Sequence, residues 1–395
     1  MNKLILGALA LIAPVYALGA DVPANTYDWR SNWPTHYVLT DGTDVGLAGK
    51  YQFDLDRFSH DGGRFEDAQT NRRKEVGFYI RKKGVYEATA VYDNQAKTWL
   101  DVFLRLQTKP LAGVDLGSFR FGHTKTLVGF EGQTGTGSTT FLEISLPVQA
   151  IYAGRRTGVD WLLLRPGWFL NLGYYWAGDL QGDNDGHMSA ARFALTPRNA
   201  AGDVLHLGIS ASRETPDGTR DGRGHWNPPS ARLRSRPEAG LLDQRLVDSG
   251  VLPNAEHTDR RGIEFLRIAG PFAAKAEYLD ARVTLPGRPA YVAHGWYAFG
   301  TWIITGESRT YTGGNLFDAV PRSPWGALEF ALRYSTLDLD DGPTQGGTEH
   351  DWTLGANWYI NKYLKLQGNY IRATSDRRDL RVDPHIVEVR AQVMF

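Results

Sequence analysis

Apolar residues recur at every second position along much of this chain, and that period narrows its fold more than any other feature. In VGLAGKYQFDLDRF, Leu47, Tyr51, Phe53 and Leu55 fall on one side of an extended chain and Lys50, Gln52, Asp54 and Asp56 on the other. KTWLDVFLRLQ sets Leu100, Val102, Leu104 and Leu106 against Asp101, Phe103, Arg105 and Gln107. GALEFALRYS sets Leu328, Phe330, Leu332 and Tyr334 against Glu329 and Arg333, and HDWTLGANWYI sets Trp352, Leu354, Ala356, Trp358 and Ile360 against Asp351, Thr353 and Asn357. Such stretches of about ten residues, separated by Gly, Asp, Asn and Pro clusters, are strands with one apolar face. Helical periodicity is hard to find beyond the N-terminus, so the expected fold class is all-β.

The compartment decides what the apolar face meets. MNKLILGALALIAPVYALGA has Lys3, an apolar run from Leu4 to about Leu18, and small residues at Ala17, Gly19 and Ala20. This is the pattern of a secretory signal peptide cleaved after Ala17 or Ala20, too short for a membrane anchor. Residues 1–20 are therefore expected to be removed, leaving 21–395 as one domain. The chain has no cysteine, which excludes disulfides and thiolate metal sites. A membrane barrel, in which every backbone group is paired, gains its stability without either.

Composition agrees with strands that are greasy outside and wet inside. Lys+Arg and Asp+Glu number 44 each, and the mean hydropathy is −0.37. No apolar span after the leader is long enough for a membrane helix. The charge balance argues against a nucleic-acid partner, and 12% aromatic residues argue against disorder. Roughly 375 mature residues at about 23 per strand and connection give about sixteen strands, an even number and wide enough for an aqueous channel. The expectation is a transmembrane antiparallel up-and-down β-barrel. Turns at Lys83-Gly84 and Asn361-Lys362 would face the periplasm. Polar runs at 57–71, 177–188, 213–229 and 338–350 would face outward or fold inside. Trp168, Tyr174, Trp176, Trp296, Trp302, Trp358 and Tyr359 suit interfacial girdles. The last strand sets Val387, Val389, Ala391, Val393 and Phe395 against Glu388, Arg390 and Gln392. Its terminal aromatic resembles the recognition signal of Gram-negative outer-membrane barrels, which makes the outer membrane the expected location.

Longer segments resemble one family. WGALEFALRYSTLDLDDG, GGTEHDWTLGANWYINKYLKLQGNYIRA and the closing strand look like the end of the O and P class of phosphate-selective porins, over 325–395. NRRKEVGFYIRKKG is similar to that family's double-arginine strand, and SFRFGHTKTLVGFEG with TTFLEISLP resembles its passage from strand to inner loop. ARLRSRPEAG, RRGIEFLRIAGPFAAKAEYLDARV and HGWYAFGTWIITGE extend the likeness over nearly the whole mature chain. The resemblance implies a homotrimer of sixteen-stranded barrels, a third loop folded inward as a constriction, and passive uptake of phosphate or related small anions. It implies no cofactor.

Arginine suits a phosphate path, because its planar fork holds two oxygens and stays charged near neutral pH. Three clusters qualify. Arg57, Arg72 and Arg73 match the family's constriction arginines, with Arg72 expected at a loop junction. Arg232, Arg234 and Arg236 alternate in SARLRSRP and project from one face, about 7 Å per step. Arginine at the bilayer midplane costs about 2 to 4 kcal/mol, so this ladder should face water. Arg120, His123 and Lys125 precede the inner loop, and Arg155 and Arg156 follow it. That loop, GFEGQTGTGSTTF, departs from the family pattern. It is poor in Lys and has Glu131 and Glu143 nearby, so a broader anion pore or a general porin for small neutral solutes also fits. Asp54, Asp56, Asp101, Glu329 and Glu388 can set up a transverse field or fold the arginines back by pairing, and only unpaired basic groups concentrate anions. His206 and Ser210 share one polar face, so an outer-membrane lipid hydrolase is a further alternative. Outer-membrane lipid and lipopolysaccharide complete the expected partners.

Overall fold

The computed structural model describes residues 33–182, 184–378 and 380–395; the leader at 1–20 lies outside them. Sixteen antiparallel strands make up the barrel. They are β1 (Thr43–Ser59), β2 (Ala68–Lys82), β3 (Tyr86–Asp93), β4 (Thr98–Gln107), β5 (Ser118–Lys125), β6 (Arg155–Arg165), β7 (Trp168–Tyr175) and β8 (Gly186–Ala200). There follow β9 (Asp203–Pro216), β10 (His257–Ala269), β11 (Phe272–Thr284), β12 (Tyr291–Ile303), β13 (Ala327–Asp341), β14 (Thr344–Tyr359), β15 (Leu364–Arg377) and β16 (His385–Met394). Each strand pairs with the next, and β16 returns to β1 over ten residue pairs from Lys50↔Met394 to Ser59↔His385. Closure continues through Phe395, whose N–H and C=O each bond Gly49 at 2.9 Å. Gly49 leaves room for the Phe395 ring, which a Cβ would meet at 2.3 Å and push aside.

Alternation sorts the side chains as the period demands, with the apolar face outward. On β14, Trp352, Leu354 and Trp358 are exposed, whereas Asp351, Thr353 and Asn357 are fully buried. On β1, Tyr51 and Phe53 are exposed, whereas Gln52, Asp54 and Asp56 are buried. A wall that is apolar outside and charged inside is at its lowest free energy when lipid surrounds it. Trp296, Trp302 and Trp358 lie on that outer surface, as expected of a girdle. Tyr359 does not. It points inward, where its hydroxyl donates to Glu329 at 2.6 Å and accepts from Arg309 at 3.1 Å.

The wall is uneven. β3, β5 and β7 have 8 residues each, β4 has 10 and β6 has 11, whereas β8 to β15 run from 13 to 16. The run at 338–350 is not the long loop expected from its polar composition. β13 and β14 continue through it to a tight turn at Gly342-Pro343, and Leu337 and Leu339 are buried on the inner face. Polar outward residues here mark a strand that extends past the lipid.

Three connections fold into the barrel. They are the third outer loop (126–154), with a short helix at Leu146–Ile151, the fifth outer loop (217–256), and the connection between β12 and β13 (304–326) at the rim of the Lys83-Gly84 turn. Phe130, Phe141, Leu146 and Val148 from the third loop, Leu233, Val247 and Leu252 from the fifth, and Leu316 from the third connection form one buried cluster with Leu266, Leu279, Tyr297, Phe299 and Leu337 of the wall. The hydrophobic core thus lies inside the barrel, against β10 to β13.

Candidate functional site

A loop inside a barrel has no neighbouring strand to satisfy its backbone, and each buried carbonyl left unmet costs free energy. Here the inner wall supplies the donors. The carbonyls of the third loop accept in sequence from Gln52 (Thr136, 3.1 Å), Lys365 and Gln392 (Gly137, 2.7 and 2.9 Å), and Arg309 (Ser138, 3.0 Å). They continue with Gln367 (Thr139, 3.2 Å), Asn357 (Thr140, 2.9 Å), Arg390 (Leu142, 2.7 Å) and Arg333 (Glu143, 3.1 Å). Its N–H groups donate to wall acceptors: Phe130 to Glu277 at 2.6 Å, Gly129 to Ser210 at 3.0 Å. Carboxylates hold the fifth loop in the same way, with Glu238, Gly240 and Leu241 N–H groups donating to Asp351, Glu388 and Asp56 at 3.0 to 3.1 Å. Arg333 ties the two loops, bonding Glu238 at 2.5 Å and Glu131 at 3.3 Å.

Arg72 and Arg73 both point into the lumen, although neighbours on a strand normally point apart. The cause is a β-bulge. The β1·β2 register passes from Gln52↔Arg73 to Phe53↔Asn71 and leaves Arg72 as the extra residue. Arg72 is therefore in mid-strand and not at the loop junction that its sequence suggested. Its guanidinium donates to Glu143 from Nε at 3.3 Å and Nη2 at 3.2 Å, and Arg73 donates to Gln52 at 2.8 Å. Burial pushes the Glu143 carboxyl up, but Arg72, Arg73, Arg390 and Arg236 outweigh it and hold the group well below the usual carboxylate range.

Water reaches the inner face along β2 to β6, where charged side chains stay partly exposed: Asp101 34%, Glu87 32%, Arg105 31%, Arg72 29%, Arg155 19%. Most of these charges are paired. Arg155 bonds Asp101 at 3.0 Å, Arg105 bonds Glu87 at 2.8 Å, Arg120 bonds Asp160 at 2.6 Å, and Lys50 bonds Glu75 at 2.7 Å. Arg105 and Arg120 are direct cross-strand neighbours and both lie over the Phe103 ring. The acids on either side offset their repulsion. Lys125 sits against the third loop, donating to the Gly132 carbonyl at 2.9 Å and the Thr134 carbonyl at 2.5 Å.

The other expected residues fall in three places. Arg232 and Arg234 are exposed and Arg236 is half-buried, alternating with buried Leu233 and Ser235 in the fifth loop, so the three share one face. Arg232 is tied to Asp248 at 2.5 Å. Arg245 joins them, its burial and then the charges of Arg236 and Arg234 pushing its guanidinium down to about 10. Arg57 is not at the constriction. It shares the outward face with Tyr51 and Phe53, half exposed, 3.4 Å from Asp67, because the alternation of β1 leaves its even positions inside. Arg156 is not on the wetted strip either: it is buried and bonded to Glu214. His206 and Ser210 do not bond each other, since His206 pairs with Tyr311 at 2.7 Å and Glu264 at 3.0 Å while Ser210 accepts from Gly129.

Comparison with known proteins settles the family. A family model for phosphate-selective porin O and P matches residues 50–395. The chain belongs to this family. Porin O of Pseudomonas aeruginosa is 32% identical over 214 residues, 47% of this chain and 47% of that protein. An uncharacterized protein of Caulobacter vibrioides is 26% identical over 303 residues, 72% of this chain and 58% of that protein. The chain thus spans about half the length of the curated relatives it matches. Among solved structures, an anion-selective porin from Comamonas acidovorans superposes with a TM-score of 0.57 at 11% identity, covering 89% of this chain and 100% of that one. The outer-membrane expressed OmpT of Vibrio cholerae gives 0.59 at 10% identity, covering 91% and 100%. At such identities these two show the fold alone. The porin is thus an outer-membrane β-barrel protein of the Gram-negative envelope.

Arg309, Lys365, Arg390 and Arg333, which organise this porin's inner loops, were not among the expected site residues. Arg390 and Arg333 carried a signal, since each is a lone cation in the inner row of a strand next to acids. Arg309 carried one as well: 23 residues (304–326) between two strands are too many for a rim turn.

Proposed function

We propose that this porin conducts small anions passively, phosphate among them, along the wetted strip of β2 to β6. The observation that carries the reading is the excess of basic groups along the strip and on the fifth loop. Among the described residues, Lys125, Arg234, Arg236 and Arg245 pair with no carboxylate, and only unpaired cations raise the local anion concentration. In this reading an anion enters past Arg234, Arg236 and Arg245. It then exchanges water for donors of Arg72, Arg73 and Lys125 beside the third loop, and leaves past Arg155, Arg105 and Arg120. Repeated weak sites permit passage where one strong site would trap.

One observation favours a second reading, a general porin for small neutral solutes: the ion pairs of the strip cancel much of its field. Planar-bilayer recording separates the two. The selective reading expects an anion-directed reversal potential and block of chloride current by millimolar phosphate, with both weakening as salt shortens the Debye length. Cation preference, or no response to phosphate, would overturn it.

The reading includes a homotrimer packed along the low wall. Eight residues at about 3.4 Å each, tilted by about 40°, rise about 20 Å, less than the apolar band of about 25 Å. A wall so low is shielded by neighbouring copies. Outer-membrane lipid would cover the taller strands, and lipopolysaccharide would meet their basic rim at Arg57, Arg261 and Arg282.

A further inference from the structure

Away from the wetted strip, β6, β9 and β10 bring two guanidiniums to one carboxylate on the inner face near the outer rim. Glu214 takes an Arg156 N–H on Oε1 and Arg260 Nη1 on Oε2 at 2.6 Å. The side chains are 2% (Arg156), 10% (Arg260) and 14% (Glu214) exposed. Ser212 lies directly across from Arg260 in the β9·β10 register and is itself buried. In the β8·β9 register the neighbours are apolar, Ala190 opposite Ser212 and Met188 opposite Glu214.

The charges do not balance. Two cations face one anion, and among the described residues no second carboxylate pairs with either arginine. Hydrogen bonding does not balance either: among the described residues, Arg156 Nε and Nη1, Arg260 Nε and Ser212 Oγ have no hydrogen-bond partner, and Arg260 Nη1 meets Glu214 as an ion pair alone. Arginine cannot relieve such a site by losing its proton, and a buried, unmatched guanidinium is among the most costly arrangements a protein can hold. A bound anion removes both deficits. The free donors come from three side chains and point to separate acceptors, which a group with several oxygens offers and a single halide does not.

We propose that Arg156, Arg260 and Ser212 form a small-oxyanion site, of the phosphate or sulfate class, set in the wall beside the outer vestibule and separate from the conduction route. Glu214 positions the two guanidiniums and keeps the site at one net positive charge. The site does not depend on which solute crosses the channel.

The test is crystallographic and uses the full chain in detergent, with crystals soaked in selenate or in bromide. A selenium anomalous peak is expected where the selenate oxygens accept from Arg156 and Ser212 Oγ. No peak, or a bromide peak alone, would overturn the oxyanion site. Glu214→Gln supplies a solution readout, because it raises the site to two net positive charges. The selenate concentration that half-maximally raises the temperature of barrel unfolding should then fall by about tenfold, and Ser212→Ala should raise it severalfold. If Glu214→Gln lowers stability with no change in selenate dependence, the cluster is a structural ion pair and the proposal fails.

Discussion

Arg72 and Arg73 reach the same water only because β2 carries one residue more than β1 at that point, and the extra residue is an arginine. Each is thereby available to the third loop. Arg72→Ala or Arg73→Ala should weaken phosphate block of chloride current at least about tenfold, the loss of one charge-assisted bidentate contact. Arg57→Ala should leave the block unchanged in the same recording, since that side chain points outward. The alternation itself puts Arg57 with Phe53 and Leu55; the family motif suggested the constriction, and register decides between them. A bulge has no such sequence signal, which is why Arg72 was misplaced. Glu143 opposes the arginines. Its carboxyl is depressed in the fold, so its stabilising contribution is complete above the unfolded value of about 4.3 and is lost as pH falls through the lower folded value. It stays ionised at neutral pH and subtracts from the positive potential. Glu143→Gln should therefore strengthen phosphate block severalfold at pH 7 and shift the reversal potential further toward anions.

The third loop shows what a row of polar residues on an inner face is for. Gln52, Asn357 and Gln392 fall on the polar faces that alternation assigns to a wet interior; with Gln367 they are in fact donors to main-chain carbonyls. Replacing Gln367 by Leu leaves the Thr139 carbonyl unmet, at a cost of about 1 to 3 kcal/mol. Replacing Arg390 by Met strands Asp54, to which it bonds at 2.6 Å, at about 3 to 5 kcal/mol. Both should lower the temperature at which the folded band converts on detergent gels, Arg390→Met by more, and both should add noise to the open-channel current. The strands were legible because each residue's face follows from its parity. That the third loop folds inward followed from the family resemblance; how the wall holds it was not legible, because its backbone partners lie far along the chain and leave no local period.

Across the whole barrel, the outward apolar face and the number of strands could be anticipated, but the difference in wall height could not, since it depends on where each strand stops. That difference makes a prediction about assembly. Leu104 is exposed on the low wall and Ile263 on the tall one. Leu104→Arg should convert unheated trimer to folded monomer on a gel. Ile263→Arg should leave the trimer intact while lowering barrel stability by about 2 to 4 kcal/mol. The way the wall holds its third loop has a further result. Most of the clasps close on the loop's main-chain groups, which do not depend on the side chain. Substitutions along the loop can therefore change, one at a time, the side chains it presents to the lumen while its seating on the wall stays as it was.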